Sequence, residues 1–420
     1  MQGVSLNRRL SIPKRSVFKD LEVVRFGSQV AVRYNGQLYW GTKASPILSS
    51  LLTAPDVERR VGENVFGPTP PNAFVGEYGY PKVMVGPLVS VSDCMDADFF
   101  SSPASWYGRD YGEIVGFATS LVRGKKQHAV SEQSVFLSQL QDSVLSSRSV
   151  DVEVDFTKRP TFSYNFSPTS QPMGPSGDIR RFKLVGNPVI SPKVDALVEE
   201  KLLVRKALPE LLKRFDFYYI QKILSAGVLG VNKKLVPTKW SITASDDMIG
   251  KQLLQKVREY PHINDFRIYS NTFLDNHFEI LLLPGAWEFE QFESWAPSTP
   301  WAVQSTGAIE HEYEPFAGRT KYAESEGGGY YAGRLGVIEA LHRMRRQARA
   351  IVFREIGEGY TVPVGVWEVR ENSRHAMQTP PTKCSTLREA LAVLATRLKR
   401  PISAYIEKST ILRQRRLNEW

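Results

Sequence analysis

The stretch that decides the fold is residues 240–283, WSITASDDMIGKQLLQKVREYPHINDFRIYSNTFLDNHFEILLL. Its opening, Trp240-Ser241-Ile242-Thr243, mixes an indole with β-branched side chains that fit a pleated surface, and it predicts a short strand. Residues 247–257 carry apolar positions at helical spacing and predict a helix. Residues 279–283 form an apolar run stopped by Pro284-Gly285 and predict a second strand. Strand and helix alternate with no dinucleotide fingerprint beside them. The expected fold class is therefore α+β (mixed α/β), a non-Rossmann multi-stranded body.

Reading outward, residues 22–26 and 29–34 predict short strands around Gly27-Ser28, and residues 67–72 are loop by composition. In residues 74–88, FVGEYGYPKVMVGPL, glycines punctuate a strand over 82–85. Residues 131–146 place Phe136, Leu137, Leu140 and Val144 on one helical face. Residues 151–156, DVEVDF, alternate strictly and predict a strand with one acidic and one apolar face. Residues 160–192 are rich in Pro, Ser and Gly and read as irregular, and a long helical region over 194–224 is interrupted at Pro209. Downstream, residues 331–354 predict a helix with Val337, Leu341, Met344, Ala348, Ile351 and Val352 on one side. Its other side carries Arg343, Arg346 and Arg349, with Arg345 at the boundary. Thr386 and Glu389 form a capping box, starting a helix that ends before Pro401.

Among 420 residues, 42% are hydrophobic and 23% charged, which is globular composition. No run approaches the roughly 18 apolar residues of a membrane span, and MQGVSLNRRLSIPKR at the start lacks the apolar stretch of a signal peptide. A cytoplasmic, nucleoid-associated location is expected. Cys94 and Cys384 are the only cysteines, which excludes a disulfide framework and a Cys-rich zinc site. The six histidines lack metal-ligand spacing, so no metal site is expected. The net charge of +10 is concentrated: residues 331–420 hold 17 Lys and Arg against 8 Asp and Glu. Such a field attracts polyanions, although a solubilising surface has the same composition. The expected organisation is an N-terminal region 1–62, a main domain 63–300, a helical, basic C-terminal domain 301–405 and a tail 411–420.

The chain ends QRRLNEW, residues 414–420. Gln414, Leu417 and Trp420 are three apart, so they eclipse into one stripe in a 3₁₀ turn but drift apart in an α-helix. An amide and two apolar plugs on one face resemble the clamp-binding (PIP) peptide that docks on the sliding clamp PCNA. That pattern usually closes with two aromatics, and here there is one.

Further segments resemble the archaeal Nre family of DNA-repair proteins. They are residues 74–88, PMGPSG (172–177), LSAGVLG (224–230), KLVPTKWSITASDD (234–247), ESWAPST (293–299), GGYYAGR (328–334) and PVGVWEVRE (363–371). The resemblance implies a role in tolerance of DNA damage with PCNA as partner. Many relatives look as though they carry a zinc-ribbon-like segment near the N-terminus. Here the corresponding stretch is YWGTKASP (39–46), without thiols, so zinc is not expected there.

Several groups of residues are candidate sites. Arg343, Arg345, Arg346 and Arg349, following Tyr330 and Tyr331, have the forks and rings that grip nucleic acid, or they form a solvated helix face. Lys82 in the glycine-rich segment is a second DNA-contact candidate, in a stretch whose glycines equally suit tight turns. Asp151, Glu153 and Asp155 share one strand face and could hold Mg²⁺ for a metal-dependent nuclease, and Glu310, Glu312 and Glu314 alternate in the same way. Finally, Glu279 before Pro284-Gly285 resembles the last motif of ADP-ribosyltransferase folds, with Ser241 and Thr243 as supporting hydroxyls. In that alternative Glu279 is catalytic and NAD is the substrate. Otherwise no cofactor is expected, and an adaptor that binds PCNA without touching DNA is a third alternative.

Overall fold

The computed structural model describes residues 21–26, 29–34, 37–41, 56–91, 97–162, 171–200, 203–296 and 309–413. The class is mixed, as expected: helices accompany two mixed six-stranded sheets. A three-stranded antiparallel meander comes first, from β1 (Leu21–Phe26), β2 (Gln29–Tyr34) and β3 (Gln37–Gly41). The thiol-free YWG lies at the end of β3, and residues 42–46 fall outside the described residues.

The next sheet contains β4 (Asn64–Thr69), β5 (Ala73–Val75), β6 (Lys82–Ser90), β7 (Leu121–Ala129), β8 (Val150–Phe156) and β9 (Ser176–Leu184). Its order is β4-β8-β9-β7-β6-β5, so consecutive strands β4 and β5 sit at opposite edges. Three residues joining them span at most about 14 Å, whereas a flat sheet would set them about 24 Å apart. The sheet must therefore roll up. Thr69 Oγ1 of β4 donates to Leu88 O of β6 at 3.0 Å, and a Cβ on Gly67 would lie 2.3 Å from Ser90 O. Only glycine admits that approach.

Helix α1 (Tyr111–Ser120) begins where Asp110 accepts from the N–H groups of Gly112 and Glu113, and α2 (Val135–Leu145) where Ser134 accepts from Leu137. The expected apolar face of α2 is buried. The region read as irregular instead contains β9, whose Lys183 and Arg181 stand opposite Glu153 and Asp155 of β8. Opposite charges in register on neighbouring strands fit a solvent-facing side shared by both strands. The helical region after it divides into α3 (Pro192–Glu199), α4 (Val204–Leu212, with Pro209 inside) and α5 (Phe217–Ser225).

The second half is a three-layer sandwich. Its sheet runs β13-β12-β14-β11-β10-β15, from β10 (Phe266–Phe273), β11 (Asn276–Leu283), β12 (Glu288–Trp295), β13 (Ile309–Glu314), β14 (Arg349–Ile356) and β15 (Thr382–Cys384). On one face lie α6 (Thr238–Val257), α7 (Gly328–Met344) and α8 (Trp367–Ala376), packed on Phe278, Ile280 and Leu282. On the other lie α9 (Leu387–Arg397), α10 (Ile402–Lys408) and α11 (Thr410–Arg413), packed around Leu281, Leu283 and Phe353. Coverage on both faces explains why β11 and β14 read as near-continuous apolar runs.

Three expectations are corrected here. Residues 240–243 are the first turn of α6, entered from Pro237, and not a strand. The helix expected over 331–354 ends at Met344, and its apolar continuation is the central strand β14. The boundary at residue 300 does not divide the sheet, because β12 pairs with β14 in parallel across it. The expected cap forms, with the return bond one residue earlier than in a capping box: Thr386 accepts from Glu389 N–H at 3.2 Å, while the Glu389 carboxylate accepts from Ser385 N–H at 2.8 Å.

Candidate functional site

A cleft of about 460 Å³ opens on the α9 face of the sandwich, near the end of the β10–β11 hairpin. Ser270 and Glu279 are register partners on neighbouring strands, and His277 shares their face two residues along β11. Glu279 is fully buried. Its Oε2 accepts from Ser270 Oγ at 2.6 Å and from Arg397 Nη1 at 3.4 Å. Arg397 also donates to Ser270 Oγ at 3.0 Å and to Thr382 Oγ1 at 2.8 Å, which ties the end of α9 to the strands. His277 Nε2 is 3.1 Å from Glu279 Oε1, but off the line of a hydrogen bond, and its Nδ1 lies 2.8 Å from Thr272 Oγ1. The cleft therefore offers a guanidinium-neutralised carboxylate beside an imidazole.

Ser241 and Thr243 do not join it. Helix α6 packs against the face that carries Phe278 and Ile280, and Glu279 points to the opposite face. Ser241 Oγ donates to Thr238 O at 2.9 Å and Thr243 Oγ1 to Lys239 O at 3.4 Å, so the helix's own carbonyls take both hydroxyls. The sheet stands between the three residues proposed for sugar chemistry. That constellation is not assembled.

The arginines also divide. Arg343, Arg345 and Arg346 are exposed at the C-terminal end of α7. Arg345 adopts φ 52° and ends the helix, with Arg346 N–H reaching back to Leu341 O at 3.1 Å. Burial lowers the pKa of His342, and the nearby charges of exposed Lys256 and Arg345 add to the effect. Arg349 is different: it lies on β14, is buried, and its Nε donates to Pro284 O at 3.1 Å beneath Gly285. Lys82, at the start of β6, is exposed.

Of the acidic candidates, Glu153 and Asp155 stand opposite Lys183 and Arg181 of β9, with Asp155 also accepting from Asn64 of β4, while Asp151 is exposed at the level of Val185 and Gly186. Glu312 and Glu314 are taken up by Arg319 at 2.6 Å and Arg334 at 2.8 Å. Among the described residues no group of three or more His, Cys, Asp or Glu side chains is placed to hold a metal ion. No described helix is long and apolar enough to cross a membrane.

Sequence reasoning missed two polar clusters inside the sandwich. Arg354 of β14 is buried and donates to Asn276 Oδ1 at 3.0 and 2.7 Å, to Glu293 at 2.7 Å and to Glu368 at 3.3 Å. Burial pushes the Glu368 carboxyl up to about 7, against the pull of Arg354 and Asn372. Arg370 of α8 forks onto Asp246 of α6 at 2.7 and 2.6 Å. Asp246, Glu293, Glu368 and Arg370 lie within the quoted family segments and Asn372 directly follows one, whereas Asn276 and Arg354 lie outside them, and no single-sequence signal marks a buried arginine. At the last described helix, buried Glu290 accepts from Ser409 Oγ at 2.5 Å and from the N–H groups of Thr410 and Ile411. A carboxylate there satisfies otherwise orphaned helix donors. Gln414, Leu417 and Trp420 lie outside the described residues.

Residues 40–302 match the family described as Archaeal Nre, N-terminal, and residues 314–420 match Archaeal Nre, C-terminal. The chain belongs to the archaeal Nre family. It is 34% identical to DNA repair protein NreB of Archaeoglobus fulgidus over 92% of its length and 97% of that relative's. It is also 34% identical to DNA repair protein NreA of Haloferax volcanii, over 88% of its own length and 92% of the relative's. NreA of Archaeoglobus fulgidus is 33% identical over 87% of the chain and 92% of its own length. No solved structure matches this Nre chain. The two family segments meet between residues 302 and 314, yet strands from both build one sheet, so the Nre halves are joined at the level of backbone hydrogen bonds.

Proposed function

We propose that this Nre protein is a DNA-repair factor that docks on a sliding clamp of the PCNA type through Gln414, Leu417 and Trp420 and contacts DNA with its body. The names of its relatives support the repair role. The observation that carries the docking reading is how the chain is fastened just before the heptapeptide. Glu290 locks the start of α11 to β12, Ile411 is buried in the sandwich, and the last described residue, Arg413, is exposed. A Gln-x-x-Leu-x-x-Trp segment thus begins one residue beyond an anchored, solvent-facing point. Leu and Trp entering a pocket would contribute roughly 3–5 kcal/mol before ordering costs, a useful share of micromolar binding.

For DNA, the supporting observation is the exposed cluster of Arg343, Arg345 and Arg346 with Lys256 beside it. Arginine forks suit phosphate oxygens. The same cations offset the negative end of the α7 dipole, which explains their place but does not require three of them. Arg349 is left out of this surface by its burial.

The experiment pairs two variants of the full chain. Leu417→Ala/Trp420→Ala should lose clamp binding in calorimetry while keeping DNA affinity. Arg343→Glu/Arg345→Glu/Arg346→Glu should keep clamp binding, weaken DNA binding and reduce the log K against log salt slope by up to ~3. Clamp binding that survives the first variant would overturn the docking assignment.

A further inference from the structure

Three large aromatic side chains stand in solvent at one place on the N-terminal half. Tyr78 is 87% exposed, Tyr80 50% and Trp240 45%. Tyr78 and Tyr80 come from the turn joining β5 to β6, where Gly79 takes φ 81° and Lys82 N–H closes onto Gly79 O at 2.9 Å. Trp240 comes from the first turn of α6. The two elements are fastened together by Thr238 Oγ1, which accepts from Val75 N–H at 2.9 Å. The Tyr80 and Trp240 ring centroids are 5.2 Å apart, tilted at 45°. Rings held this way are not waiting to complete the core, whose clusters lie beneath the buried Val83 and Val85 of the same hairpin.

Cations flank the rings. Lys82 is exposed and makes no ion pair among the described residues, and Lys239 is largely exposed, with Glu77 3.4 Å from its ammonium. Lysine is depleted at the cores of protein–protein interfaces, whereas surfaces that hold unpaired nucleotides combine backbone-tracking cations with rings on which bases stack. Base pairs in a duplex already stack on each other and expose only edges and phosphates.

We infer that Tyr78, Tyr80 and Trp240, with Lys82 and Lys239, form a stacking platform for single-stranded DNA. This inference rests on the DNA-contacting reading above and specifies the form of DNA that one surface takes. The platform is distinct from the arginine cluster. Thr243 of α6 lies close to Gly328 at the start of α7, and Lys256 close to His342 near its end, so the helices run parallel with the platform at their beginnings. Sixteen residues of helix separate Trp240 from Lys256, about 24 Å along the axis.

The test measures fluorescence-anisotropy binding of the full chain to labelled oligo(dT) and to a duplex of equal length. Tyr78→Ala/Tyr80→Ala/Trp240→Ala should bind oligo(dT) at least about tenfold more weakly, with duplex affinity and salt slope unchanged. Tyr78→Ala alone removes a side chain with no packing role and should itself weaken oligo(dT) binding several-fold. Trp240→Phe, which keeps a ring, should restore most of what Trp240→Ala loses. If the wild-type chain binds oligo(dT) and Tyr78→Ala and the triple variant bind it equally well, the platform is wrong and the DNA-contacting reading stands. If the wild-type chain binds neither DNA, both fail. If the triple variant loses oligo(dT) and duplex binding in equal measure, the rings do not select unpaired bases and the inference is overturned.

Discussion

Glu368 shows how much of this molecule's chemistry is set by burial. It is fully enclosed, accepts from Asn372 Nδ2 at 3.0 Å and lies 3.3 Å from Arg354, and desolvation raises its carboxyl to about 7. A carboxyl with a folded value above its unfolded one binds more protons in the native state. Its contribution is complete below pH 4.5 and is lost as pH rises through 7, by at most about 3 kcal/mol. Glu368→Gln, which keeps the shape and stays neutral, should flatten that fall. Urea denaturation from pH 5 to 8 should show the wild-type chain losing stability relative to the variant. Parallel curves would place the titration elsewhere. At this scale the sequence was a poor guide. Arg354 is the last residue of the expected helix and Arg370 lies in a segment to which the sequence assigns no element, and only the three-dimensional neighbours Asn276, Glu293 and Asp246 explain why charges tolerate the interior. Glu279 was legible as a strand residue before Pro-Gly, but its partners Ser270 and Arg397 come from elements that the sequence did not connect to it.

At the scale of elements, the end of α7 is the informative case. Apolar spacing continues unbroken from Val337 to Val352, so periodicity predicts one helix, yet the chain turns at Arg345 and re-enters as β14. A strand buried on both faces mimics the apolar side of a helix, and periodicity alone does not separate them. Glycine, the usual signal for such a turn, is absent: Arg345 takes the left-handed conformation itself, at a cost of roughly 1 kcal/mol. Arg345→Gly should therefore raise stability by about 0.5–1 kcal/mol while weakening DNA binding. Equal DNA affinity with higher stability would reduce Arg345 to a helix-ending residue. The β10–β11 hairpin was hidden for the same reason. Its turn residues Leu274 and Asp275 have φ 49° and 55°, in a two-residue loop where Asn-Gly would be expected. Where local chemistry was ordinary, the sequence was enough: the Thr386 cap, the buried face of α2 and the alternation of β8 all stand as read.

At the scale of the molecule, the mixed α/β class follows from the alternating segments, but the division at residue 300 does not, because parallel pairing of β12 with β14 is a long-range contact without a local signature. The result is a body whose barrel-like half and sandwich half share α6. It presents exposed rings near the start of that helix and cations near its end, while Glu290 fixes the start of the last described helix. The central claim is that clamp and DNA are held at separate places by one chain. The most direct measurement is mass photometry of the full chain mixed with the clamp ring and a primed DNA of single- and double-stranded character. The account predicts a ternary species containing all three, reduced to chain and DNA alone by Leu417→Ala/Trp420→Ala. Clamp and DNA displacing one another from the chain, with no ternary species at any ratio, would contradict it.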